Sequence, residues 1–365
     1  MERLLVYSVL FPVMIVFAYR ASKTSKIWEN YNVYLAIITY SLIVGLRWNV
    51  GEDYISYYNL IMGYVPDYEL DRIECIPREA MILIQKLGLP FYYWFVGMAL
   101  VQIVSLYVAI NRIDKTLLPW CTFFFLFLFL DASLNIVRQS TALTIGLCAL
   151  VFWGESKRCI ALALCLLAYG FHHSSVIVLS FFIIAQVKGI LSTKWQLILF
   201  TVSLFCKSLL PIVFVRVSFL SDYIGYSHIF DSIINNSSLQ IEKGSGLGVI
   251  LNYVSYYFII LCSQRVKQYF ETKTNSFALL YNVFFIGICA YSATMYYMLI
   301  SRLFMYFTIA SVVIFASTIY ANIKMNGIAK LFSLLIVSLF VVMQVILASS
   351  SDEEWLFIWD VGINV

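Results

Sequence analysis

Apolar runs of 12 to 22 residues recur along nearly the whole chain, each closed by a short cluster of polar or charged positions. An α-helix crosses bilayer hydrocarbon in about 20 residues, fewer where protein shields its ends, because each backbone polar group must be satisfied within the segment. The pattern predicts twelve spans: about 4–19, 31–46, 91–110, 117–130, 139–153, 159–170, 176–187, 195–210, 246–263, 276–297, 303–320 and 330–348. The fold class expected is all-α, a polytopic membrane helix bundle of about 12 transmembrane helices forming a single transmembrane domain over 1–365. The first run ends at Tyr19-Arg20 without a small-residue cleavage site, so it reads as a retained span. All eight tryptophans lie near span ends or in terminal polar segments, where rings settle at headgroup level.

Composition narrows the class further. With 62% apolar and 12% charged residues and a mean hydropathy of +0.87, the chain cannot cover itself for water, which excludes a soluble enzyme and a disordered chain. Of eight cysteines only Cys75 sits in a polar loop, so neither a disulfide framework nor a zinc site is expected. If the chain starts outside, the connections on the cytoplasmic side carry 14 basic residues against four acids, Glu29, Asp114, Glu155 and Glu271. The positive-inside rule then puts both termini outside. The net charge of +4 averages two faces of opposite sign and points to no nucleic-acid partner.

Two outer connections are long, at about 47–90 and 211–245, while every cytoplasmic one is short. Chain beyond the minimum needed for crossing is where function concentrates, so the working face is expected outside. In the first loop, Pro77 and the residues after it read as a short interfacial helix; the second loop carries a further interfacial or re-entrant candidate around Arg216.

The charged residues of this face suggest chemistry. Arg47, Arg138 and Arg302 lie at or just inside outer span ends, and Arg216 stands in an apolar context. Guanidinium stays charged and forks onto phosphate oxygens, so four such groups around one cavity suit a pyrophosphate. Arginines at span ends also snorkel to headgroups without any ligand. Beside Arg47, Asp53 is a candidate general base, since a carboxylate near a low-dielectric boundary gains basicity, and Tyr54, Tyr57 and Tyr58 are candidates to stack on a sugar. The plainer alternative is a solvated loop in which Glu52 or Asp53 pairs with Arg47. Glu79 is a weaker candidate.

In Phe171-His172-His173-Ser174-Ser175, one histidine suits acid or base work near neutral pH with Ser174 orienting it, and a structural hydrogen bond across a tight turn is the competing reading. The adjacent histidines lack the helical spacing of a zinc site. Arg138, Gln139 and Ser140 open a span, where free N–H groups favour anions; Asn135 and Ser140 read more simply as caps. There is no Walker loop, nucleophile elbow, dinucleotide fingerprint or DxD motif.

Taken together, Gly45-Leu46-Arg47-x-x-x-Gly51-x-Asp53-Tyr54, Arg138-Gln139, Phe171-His172-x-Ser174 and Ser301-Arg302 resemble the EpsG / Wzy family of bacterial O-antigen and exopolysaccharide polymerases. The sequence departs from the family pattern at Glu52 and Ser175, neither a proposed catalytic group. The resemblance implies an inner-membrane glycosyltransferase, multi-pass, with its active face periplasmic. Its substrate would be an undecaprenyl-pyrophosphate-linked oligosaccharide, its environment the lipid bilayer, its partner a chain-length regulator, and no cofactor or metal is implied. By that likeness Arg47, Arg138 and Arg302 hold the donor pyrophosphate and either His172 or Asp53 activates the acceptor hydroxyl. A flippase of lipid-linked oligosaccharide and an O-antigen ligase are the alternatives; paired halves and midplane charges, which mark many transporters, are not evident.

Overall fold

The computed structural model describes residues 3–206, 246–271, 276–295, 297–325, 327–350 and 355–361. Its helices are α1 (Arg3–Ser22), α2 (Tyr31–Gly45), α3 (Tyr54–Ile61), α4 (Asp67–Leu70), α5 (Cys75–Leu87), α6 (Tyr92–Asp114), α7 (Leu118–Asn135), α8 (Val137–Gly154) and α9 (Arg158–Phe171). A 3-10 helix, His173–Leu179, leads into α10 (Ser180–Ile184) and α11 (Thr193–Cys206). After the gap come α12 (Leu247–Glu271), α13 (Phe277–Thr294), α14 (Met298–Thr308), α15 (Ser311–Met325) and α16 (Ile328–Ser350). Among the described residues the only sheet is one antiparallel pair, Arg47–Trp48 against Leu356–Phe357.

Where they lie within the described residues, the twelve predicted runs fall on helix (207–210 of the eighth run and 296 of the tenth lie outside them). Among the described residues six helical runs are long and apolar enough to cross a bilayer on their own: Arg3–Ser22, Tyr92–Asn135, Leu247–Phe270, Phe277–Thr294, Ile300–Met325 and Ile328–Ser349. Tyr92–Asn135 spans 44 residues because α6 passes into α7 through a single 3-10 turn, Lys115–Leu117. Tyr31–Gly45, Arg158–Phe171, His173–Ile184 and Thr193–Cys206 are apolar but shorter, 10–17 residues. The protein is a multi-pass membrane protein. Its outer surface carries the apolar side chains that lipid requires; Leu166, Ile183 and Ile328 are each more than 70% exposed.

α8 is the hub of the bundle. From Gln139 to Val151 every residue is buried, and the helix packs against α6, α7, α9, the 3-10 helix, α13 and α14. Small residues permit this closeness: Ser140, Thr141, Ala142, Thr144, Gly146 and Ala149 let neighbouring backbones approach, as in membrane helices generally. The hydroxyls return to main-chain oxygens, Thr141 Oγ1 to Val137 at 2.9 Å and Thr144 Oγ1 to Thr141 at 3.0 Å. Gln102 of α6 donates to Thr141 Oγ1 and the Val137 carbonyl, so no polar group faces hydrocarbon there alone.

The connections sort into two ends. At one, Lys115 Nζ donates to the carbonyls of Thr24 and Ser25, and Arg112 and Lys157 both pair with Glu155. These are loops that the charge count assigned to one side. At the other, the 47–90 connection meets the α7–α8 corner, the 171–175 turn and the C-terminal segment, and α8 is tied there to α14. The first connection holds three helices rather than the one expected, with α5 as the amphipathic piece: Met81 and Ile84 are buried while Leu83 and Leu87 are exposed.

Candidate active site

The site begins with the segment between α2 and α3. Gly45 lies against α6 so closely that a Cβ would come within 2.5 Å of Val96 Cα, and Gly51 takes φ +105°, where a Cβ would meet the Leu134 carbonyl oxygen at 2.5 Å. Only glycine fits both places. Between them Asn49 also has a positive φ, 50°, which asparagine tolerates better than most residues.

Arg47 closes this turn from inside. Its side chain is buried and donates to three main-chain carbonyls: Nε to Val50 at 3.0 Å, Nη2 to Leu134 at 2.9 Å and Nη1 to Val44. All three guanidinium nitrogens are committed, and the cation sits over the rings of Tyr54 and Phe95. The structure therefore does not bring Arg47 to the other arginines as expected; the fork ties the loop to the α7 terminus. Tyr54, a candidate for sugar stacking, is likewise fully buried and stacks on Phe95 at 4.5 Å. Tyr58 is half-buried among Trp48, Phe91 and Tyr64. Asn135 Oδ1 accepts from Glu52 N at 2.8 Å and Ser140 Oγ donates to the Ala132 carbonyl, so neither residue caps α8.

With its start fixed, the loop presents Asp53. The carboxyl is half-buried and makes no hydrogen bond among the described residues, and it lies within the electrostatic reach of Arg138 and Arg302. Burial raises its pKa above the usual carboxylate value, and the two guanidinium groups hold back part of that rise. Arg138, in the first turn of α8, and Arg302, in α14, come from helices linked directly: Gln139 Nε2 donates to the Arg302 carbonyl at 2.7 Å.

Glu74, which the sequence alone does not single out, organises the remainder, whereas Glu79, the weaker candidate of the same loop, is exposed. Glu74 is 6% exposed at the N-cap of α5. Its Oε2 pairs with Arg138 Nη1, while its Oε1 accepts from His173 N at 3.4 Å and stands 3.9 Å from His172 Nε2. Arg138 Nε donates to Tyr57 Oη at 3.1 Å, and Nη2 has no hydrogen-bond partner among the described residues. One carboxylate thus joins three segments, the α5 N-terminus, α8 and the 171–175 turn.

His172 caps the 3-10 helix. Its Nδ1 accepts from Ser174 N at 3.3 Å and lies 2.6 Å from Ser174 Oγ, which reaches Tyr306 Oη of α14 at 3.2 Å. A main-chain N–H can only donate, so Nδ1 is the unprotonated nitrogen and the ring proton sits on Nε2, facing Glu74. Burial pushes the His172 pKa down to about 4, with Glu74 opposing and Arg138 among the groups reinforcing the shift, so the ring is neutral at pH 7. Its lone pair is already engaged by Ser174. Arg216 lies outside the described residues.

Two arginines, an unengaged carboxylate and a neutral histidine thus converge at one end of a membrane bundle, on the segments that carry the shared motifs. The family model described as the EpsG family matches residues 30–358. The chain belongs to the EpsG family. No curated protein and no solved structure matches it. The matched stretch runs from the N-cap of α2 to the start of the final 3-10 turn, so it takes in every element of the site. EpsG membership goes with membrane polysaccharide biosynthesis of a polymerase-like kind.

Proposed function

We propose that this EpsG-family protein is a lipid-linked oligosaccharide polymerase of the O-antigen type, working at the face of the bacterial inner membrane that looks away from the cytosol. What carries the reading is the half-buried Asp53 carboxylate, which has no hydrogen-bond partner among the described residues and lies within electrostatic reach of the Arg138 and Arg302 guanidinium groups. On the twelve-crossing reading of the chain, this end lies on the side opposite the basic connections.

The donor is the growing chain on undecaprenyl pyrophosphate. Arg302 and the unpartnered Nη2 of Arg138 take its phosphate oxygens; Gln139 fixes the α14 main chain that carries Arg302. Asp53 takes the proton from a hydroxyl on the non-reducing end of a fresh lipid-linked unit. That oxygen bonds to the anomeric carbon, the carbon–oxygen bond to pyrophosphate breaks, and the electron pair leaves with the pyrophosphate. Fixed cations oppose the charge that develops there, and one such donor is worth about 2.7–4 kcal/mol in the barrier. Asp53 is the better base of the two expected, because its raised pKa moves it towards the working pH while the His172 lone pair is held by Ser174. His172, Ser174 and Glu74 position Arg138 and the turn; Arg47 and Tyr54 leave the substrate-binding set. A chain-length regulator is proposed as partner on the family likeness.

Purified protein reconstituted with lipid-linked repeat units alone tests the reading. Elongation to a ladder is expected. Transfer of unchanged substrate between leaflets would make it a flippase, and reaction only after lipid A-core is added would make it a ligase.

A further inference from the structure

The least buried of the long apolar helices is α16, with about a fifth of its apolar window covered by protein, whereas the α14–α15 run is nearly four-fifths covered. Three hollows lie in series beneath and beside it. The first, about 210 Å³ between α1, α7 and α16, is almost purely apolar. The second, about 140 Å³ between α7, α12 and α16, shares Phe127 and Gln344 with the first. The third, about 100 Å³, shares Leu128 and Asn252 with the second and runs inward to Tyr291, Met305 and Thr308. A fourth hollow of about 200 Å³ on the far side of α16 joins the second through Leu251 and Met343.

The series has a direction. Its outer members are lined by aliphatic and aromatic carbon, and its inner end by an amide, two phenols and the hydroxyls of Thr308 and Ser311. Met305 follows Arg302 by three residues on α14, so the inner end opens on the helix face that bears the arginine. Leu128 lies seven residues before the α7 terminus, about 10 Å at 1.5 Å per residue, which places the passage below the site in the half of the bundle nearest it. Gly248 of α12 lines it, and a Cβ there would come within 3.2 Å of Met343 Cε, so a larger side chain would project into the passage. A cavity of about 150 Å³ lined by aliphatic groups takes up benzene, so the two larger, apolar hollows each accept a short stretch of branched hydrocarbon.

We infer that the gap between α7, α12 and α16 is the lateral portal for the isoprenoid chain of the lipid-linked substrate, which lies along the hollows while its pyrophosphate reaches Arg302 and Arg138. The inference rests on the proposed reaction for its occupant and adds the site where the tail binds. A phospholipid fills an apolar groove of this kind without needing a polar inner end, and the Arg302 cation one helical turn from Met305 at that end favours a chain that ends in pyrophosphate.

The test uses the full chain in nanodiscs of phosphatidylethanolamine and phosphatidylglycerol, with a sugar-free undecaprenyl pyrophosphate bearing a diazirine within its isoprenoid chain. After photolysis, peptides holding Leu128, Leu251 and Met343 should carry at least tenfold more adduct than the lipid-facing α9 peptide holding Leu166. Excess unlabelled undecaprenyl pyrophosphate should remove the adducts, and Gly248→Leu should cut them at least tenfold in a protein that still purifies as a single species. Equal labelling of α9, removal by added phosphatidylglycerol, or unchanged labelling in a well-folded G248L protein overturns the portal. Because the probe has no sugar, portal labelling in a protein that never elongates lipid-linked units sinks the polymerase reading alone, whereas elongation with labels elsewhere sinks the portal alone.

Discussion

Removing Glu74 should unfasten the site more than any other single change. Its carboxylate is the acidic partner of Arg138, it holds His173 N, and it faces the protonated nitrogen of His172. Breaking a buried ion pair from one side costs about 3–5 kcal/mol, because the surviving charge stays desolvated. Here the Arg138 side chain keeps 20% exposure and a bond to Tyr57, which sets Glu74→Ala at the low end, about 3 kcal/mol. Glu74→Gln retains an oxygen for His173 N and an uncharged acceptor for Arg138, so it should lose about half as much. The assay is thermal unfolding of the purified protein in detergent together with polymer ladders from cells expressing each variant. E74A should melt roughly 5 °C or more below wild type, E74Q should fall between, and both should shorten or abolish the ladder. An E74A protein with wild-type melting and a normal ladder would refute the reasoning, since no buried carboxylate could then be holding Arg138.

Three further outcomes follow from the same geometry. Arg47→Ala leaves the carbonyls of Val44, Val50 and Leu134 without their donor and should cost about 3 kcal/mol or more, and Arg47→Lys, with one nitrogen in place of three, should rescue little of it; melting curves check both. Arg302→Ala should insert and accumulate normally yet lose elongation by about 100-fold, read from reconstituted protein. For His172, the folded pKa of about 4 lies below the ordinary value of 6.5, so the unfolded chain protonates first on acidification. Stability from this group is complete above about pH 6.5 and is lost as pH falls towards 4, and His172→Gln should flatten that part of the melting-temperature profile.

The helices are legible because hydrophobic run length is a local property: the twelve runs fall on helix wherever they lie within the described residues, and the small-residue character of α8 stands in its sequence. Which runs cross a membrane unaided is less legible, since helices such as Arg158–Phe171 and Thr193–Cys206 are apolar yet shorter than a full crossing. In the site, Arg138 and Arg302 are legible as arginines at outer span ends, Asp53 as an acid of the outer loop and His172 as part of an outer turn, and the fold puts Asp53 and His172 each within electrostatic reach of both arginines. Arg47 was misread because nothing in its neighbours in sequence shows that the loop will fold three carbonyls around it, one of them 87 residues away. Tyr54 departs from expectation for a related reason: only tertiary packing against Phe95 of α6 buries it. Glu74 was missed because its partners are 64 and 99 residues distant, and a lone acid ahead of a proline-containing helix start looks like an ordinary cap. The available signal was its position, an acid at the boundary between an exposed loop and an amphipathic helix on the working face.

The most direct measurement is the single-turnover rate of sugar transfer between lipid-linked units by purified wild-type, Asp53→Asn and His172→Gln proteins, across pH. Asp53→Asn should melt at or above the wild-type temperature, because it removes a half-buried charge, and should lose about 10²–10⁴-fold in rate. The wild-type rate should fall on acidification through a pKa above the ordinary carboxylate value, and His172→Gln should keep that limb while slowing less. Full transfer by Asp53→Asn, or an acid limb that vanishes only with His172→Gln, would contradict the assignment of Asp53 as the base between two arginines.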